Sequence, residues 1–131
     1  MATRLPSAGK GKVKMEKQYF KLLYNGACEA SSEELYIAEW ATSAIFAPGK
    51  DAPDPDCAEI VAILRQLYRC AHITVREIRG YTGLSQAAFA GRYCAPKRSI
   101  ENWETGAREC PDYVRLMLAH ITGAAKYPGW E

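Results

Sequence analysis

Lys97, Arg98, Glu101 and Asn102 fall at the spacing that places side chains on one face of an α-helix. Lys and Arg donate to guanine O6 and N7, Asn pairs bidentately with adenine, and Glu accepts from cytosine N4. A helix that turned these residues outward could read base edges in a major groove, whose width admits an α-helix. Upstream, Ser85 and Gln86 stand at the start of another helical stretch. Backbone N–H groups and polar side chains at such a start can hold a phosphate.

No other constellation competes with this one. Paired carboxylates, a nucleophile–base set and a phosphate loop are all missing from the pattern, so an enzyme is not expected. The five cysteines (Cys28, Cys57, Cys70, Cys94 and Cys110) are odd in number and never spaced as CxxC. That excludes a disulfide framework or a zinc knuckle and predicts reduced thiols in helices, many of them buried. His72 and His120 lie far apart and complete no metal motif, so neither metal nor cofactor is expected. The apolar runs are too short to span a bilayer, and the basic N-terminus does not lead into the apolar stretch of a secretory signal. The expected location is the cytoplasm, with no membrane partner.

Charge is distributed unevenly along the 131 residues, although the net value is only +2. Residues 1–14 hold Arg4, Lys10, Lys12 and Lys14 and no acid. Residues 15–73 hold nine acidic side chains against five basic ones, whereas 74–108 hold six basic against three acidic. Two basic segments around an acidic one suit a polyanionic partner, and the acidic excess argues against contact with that partner through 15–73.

The elements that must position these residues are all helical. Met15 onward carries an apolar stripe (Tyr19, Phe20, Leu22, Leu23, Tyr24) with a predicted stop at Asn25-Gly26. Ser31-Ser-Glu-Glu34 predicts a capping box opening a helix through Phe46, with Leu35 and Trp40 in its core face. The proline-rich 47–55 reads as a linker. Asp56 is placed to cap a third helix to about Cys70, bearing Ile60, Ile63, Leu64, Leu67 and Tyr68. Thr74-Val-Arg-Glu77 is a second capping box, and its short helix ends at Gly83. Ser85 caps the next, with Phe89 and Ala90 inward; after a tight connection at Cys94-Ala-Pro96 comes the helix of Ile100 and Trp103, stopped by Gly106. A last helix starts at about Asp112. Two short helices around a turn of about three residues match the helix-turn-helix unit, whose second helix enters the major groove.

Leu84-Ser85-Gln86, Phe89-Ala90, Ser99-Ile100 and Trp103-Glu104-Thr105-Gly106 stand in one ungapped register. In these residues the chain resembles the Cro/phage-repressor-like (XRE-type) helix-turn-helix family. The resemblance extends upstream through Val75–Arg79 and Thr82-Gly83, and downstream to Pro111–Leu118. It covers about 74–122, under half the chain. It implies that Gln86, with Ser85, contacts phosphate, and that Lys97, Arg98, Glu101 and Asn102 lie on the reading face. It also implies that Arg79 pairs with Glu104 as a structural tie, and leaves Arg108 to reach the nucleic-acid backbone. Two positions depart from the family pattern. Cys94 replaces the usual turn glycine, and Pro96 replaces the usual Ser/Thr cap of the recognition helix.

The predicted fold is therefore all-α, with about seven short helices. A Cro/repressor-like bundle over 74–124 follows an N-terminal accessory region over 15–73. A flexible basic tail (1–14) and a C-terminal tail (125–131) flank them. The expected function is sequence-specific binding of double-stranded DNA as a repressor-like transcriptional regulator of a phage or mobile element. Paired half-sites make a homodimer the natural unit. The alternative is an antitoxin-type module whose residues 15–73 grip a partner protein, with DNA binding serving autoregulation.

Overall fold

A computed structural model describes residues 17–46 and 56–126. Among these residues the fold is all-α, with seven helices and no strand. They are α1 (Lys17–Glu29), α2 (Glu33–Trp40), α3 (Cys57–His72), α4 (Val75–Thr82), α5 (Gln86–Arg92), α6 (Lys97–Thr105) and α7 (Asp112–Thr122), with a 3₁₀ turn at Ala44–Phe46. No helix among them is long and apolar enough to cross a membrane. The predicted basic tail, the helix start at Met15, the linker 47–55 and residues 127–131 lie outside the described residues. Two compact units divide inside α3, between Tyr68 and Arg69.

In the N-terminal unit, α1 runs through Asn25-Gly26 to Glu29 instead of stopping there. Packing overrides the weak helix propensity of glycine. Leu23, Tyr24 and Ala27 are buried on one face, and Gly26 lets the Trp40 indole approach closely. A Cβ at position 26 would sit 3.0 Å from Trp40 Nε1. The α2 cap is Ser32 rather than Ser31: Ser32 Oγ accepts from Leu35 N at 3.2 Å. That shift leaves Leu35 exposed and buries Tyr36, whose hydroxyl donates to the Leu23 carbonyl at 2.8 Å. Trp40 is half-buried rather than central. Helix α2 ends at Trp40, short of Phe46, because Ser43 supplies competing local acceptors: its hydroxyl accepts from Ile45 N and its carbonyl from Phe46 N. Asp56 caps α3 as predicted, with Oδ1 accepting from Ala58 N at 2.9 Å. Ile60, Ile63, Leu64 and Leu67 are buried along α3. Tyr68 is half-buried, with its ring tilted against Tyr36 at 6.0 Å.

The second unit contains the end of α3 and α4 to α7. Helix α4 packs on α6 and α7, and α5 packs on α6. Val75, Ile78, Phe89, Ala90, Ile100 and Ala119 are buried, whereas Trp103 and Leu84 are half-buried. Arg69 donates to the Ala124 carbonyl and Arg115 to that of Ala71, so both ends of the unit are tied by side chains. All five cysteines are free, but only Cys70 is buried, fewer than expected. Burial pushes its thiol up to about 11, so it stays protonated and inert at neutral pH.

Candidate nucleic-acid interface

Local signals build the two helices of the candidate interface. Thr74 and Glu77 form a reciprocal capping box on α4, which stops at Gly83 in the left-handed region (φ 76°). Ser85 Oγ accepts from Ala88 N at 3.1 Å and starts α5. Phe89 lies inward with its ring tilted on Tyr93, centroids 5.0 Å apart. Helix α5 closes at Tyr93, and Cys94 then turns the chain with φ 55°, the single positive value among the described non-glycine residues. Ala95 N donates back to the Ala90 carbonyl at 2.9 Å. A left-handed L-residue costs about 1–2 kcal/mol, so the departure from glycine at this turn carries strain. Pro96 precedes α6 with no side-chain cap; its φ of −65° suits a helix start, and its carbonyl accepts from Ser99 N and Ile100 N.

A charged cluster joins α4, α5 and α6. Arg79 Nε donates to Glu104 Oε2 at 2.6 Å, and Arg79 Nη2 to Oε1 at 2.9 Å. Its remaining nitrogen, Nη1, donates to the Leu84 carbonyl at 3.0 Å. The Glu104 side chain is wholly buried, and Arg79 is 20% exposed. Arg79, by hydrogen bonding first and then by charge, holds the Glu104 carboxyl below the usual range despite that burial. The pair bolts α4 to the last turn of α6 and fixes the carbonyl before Ser85.

The resemblance gave Gln86 to phosphate, but its Nε2 donates to Glu104 Oε1 at 3.1 Å. One N–H of the amide is thus held by protein; its other N–H and its Oε1 have no partner among the described residues. Arg76, which sequence reasoning passed over, brings Nε to 3.7 Å from the same Glu104 oxygen. Its signal was position: Arg76 and Arg79 are three residues apart on α4 and share a face.

Lys97 and Arg98 are exposed, as a reading face requires. Lys97 pairs with Glu101 one turn on, at 3.8 Å, so these two charges offset each other. Asn102 is half-buried; its backbone carbonyl accepts from Gly106 N at 3.1 Å and Arg108 N at 3.2 Å. That closes α6 around Gly106 (φ 86°) and docks the exposed Arg108 at the helix end. The structure thus gathers Arg79, Gln86 and Glu104 into one cluster and Lys97, Arg98, Glu101 and Asn102 along one helix. Ser85 sits at the start of α5, and Arg108 just past α6. Among the described residues no group of three His, Cys, Asp or Glu side chains could hold a metal ion. Comparison with protein-family models, curated proteins and solved structures gives no match in any of the three.

Proposed function

We propose that the second unit binds double-stranded DNA sequence-specifically, with α6 in the major groove, and that the protein is a repressor-like transcriptional regulator. The observation that carries this reading is the α5–turn–α6 arrangement. Ile100 faces inward and Lys97 and Arg98 outward, while the part-buried Glu104–Arg79 bridge holds the end of α6. Base contacts fall to Lys97, Arg98, Glu101 and Asn102, and phosphate contacts to Ser85, Gln86 and Arg108. Glu101 offsets part of the positive charge and so favours base readout over indiscriminate phosphate attraction.

The working unit in this reading is a homodimer on two half-sites. Helix α7 supports it: Tyr113, Met117 and Ile121 recur every fourth residue and are each half or more exposed. An apolar stripe of this kind is self-complementary about Met117 when two copies cross antiparallel.

Selection of bound sequences from a random DNA pool tests the proposal. Enrichment of a palindromic site is the expected result. Lys97→Ala with Arg98→Ala abolishes binding to that site in a salt-matched gel shift while leaving the melting transition in place. Unchanged binding by the double variant would sink the assignment of α6 as the reading helix.

A further inference from the structure

We infer that Arg76 and Gln86, reaching from two different helices toward one oxygen atom, form a clamp for a single nucleic-acid phosphate; this deepens the DNA-binding reading and rests on it. Both side chains approach Glu104 Oε1, Gln86 Nε2 at 3.1 Å and Arg76 Nε at 3.7 Å. The two side chains therefore converge on one oxygen, although the residues lie on α5 and α4. The carboxylate they share is already satisfied, because Arg79 covers both of its oxygens. Of the three charged groups in the cluster, Arg79 and Glu104 cancel, and the charge of Arg76 is left over.

That excess charge is also the accessible one. The Arg76 side chain is 73% exposed, and its contact with Glu104 is too long for a hydrogen bond. An arginine presents its donors in a fixed planar fork that matches phosphate oxygens. Gln86 retains a second N–H for the same ligand. A phosphodiester oxygen can thus accept from both while the Arg79–Glu104 bridge stays intact. In the free protein Glu104 acts as the placeholder acceptor that holds the Gln86 amide nitrogen at the oxygen Arg76 also approaches. Glu104 is therefore a positioning residue for the clamp as well as a structural tie.

The test is the salt dependence of binding to the selected DNA site, measured for the full chain. Each phosphate neutralised contributes about 0.9 to the slope of log K against log salt. Arg76→Gln is expected to make the slope shallower by about that amount, and Arg76→Lys to restore it, since a point charge suffices for the ionic term. Because Arg76 is 73% exposed and its ion pair with Glu104 is long, both variants should keep a cooperative melting transition within a few degrees of the native protein. A slope unchanged in Arg76→Gln, with DNA binding intact in the native protein, overturns the clamp alone. Failure of the native protein to bind any DNA at low salt overturns the DNA-binding reading and the clamp with it.

Discussion

Arg79 and Glu104, separated by 25 residues, meet in a two-bond bridge of 2.6 and 2.9 Å that closes α4 onto the end of α6. The Glu104 side chain is withdrawn from water, so the bridge is costly to break from one side only. Arg79→Ala leaves a buried carboxylate with Gln86 as its remaining close donor. The expected loss is about 3 kcal/mol, the low end of the range for buried pairs, because Arg79 itself keeps some solvent. Urea unfolding checks this, and a loss below about 1 kcal/mol would reduce the bridge to an ordinary surface pair.

The same pair predicts a pH dependence with a defined sign. Unfolded, Glu104 titrates near 4.3; folded, Arg79 holds it lower. A depressed folded value gives stability that is fully present above the unfolded value and is lost as pH falls through it toward the folded one. Between about pH 5 and pH 3 the native protein should lose more stability than Glu104→Gln, whose side chain does not titrate. Parallel pH curves for the two proteins would contradict the assignment.

Cys94 holds a positive φ that glycine adopts at little cost. Cys94→Gly relieves about 1–2 kcal/mol of strain and returns part of it as freedom of the unfolded chain. A net gain of about 0.5–1 kcal/mol is expected, whereas Cys94→Val, branched at Cβ, should destabilise. The order Gly above Cys above Val in thermal midpoint is the check.

Gly26 makes a prediction for the N-terminal unit. Alanine there gains about 1 kcal/mol of helix propensity, but its Cβ would press on the Trp40 indole at 3.0 to 3.2 Å. Overpacking costs about 1–3 kcal/mol, so Gly26→Ala should lower stability by about 1 kcal/mol and shift tryptophan fluorescence. A raised midpoint would show that Trp40 yields freely.

If α7 pairs two copies, Met117→Glu places like charges at the centre of the seam. Sedimentation should show a weakened dimer, and binding to a full palindrome should lose cooperativity while half-site binding persists. Cooperative binding by the variant would move the dimer surface elsewhere.

Helices α4 to α7 were legible in the sequence almost to the residue, because their boundaries are written in short-range bonds. The Thr74–Glu77 box, the Ser85 cap and the left-handed Gly83 and Gly106 each close within a few residues. Such interactions close within a helix's own end and depend little on distant residues. Of the inward set Phe89, Ala90, Ile100 and Trp103 expected from helical period, the first three are buried and Trp103 is only half-buried. Tertiary structure decided what local signals cannot encode. It ran α1 past Gly26, where burial of Ala27 and the approach of Trp40 outweigh glycine's propensity. It moved the α2 cap by one serine, between two residues of equal capping power. It turned Gln86 toward Glu104 across 18 positions and brought Arg76 to the same carboxylate oxygen. Those placements depend on how α4, α5 and α6 pack, and packing is a property of distant residues meeting, which no spacing along the chain states.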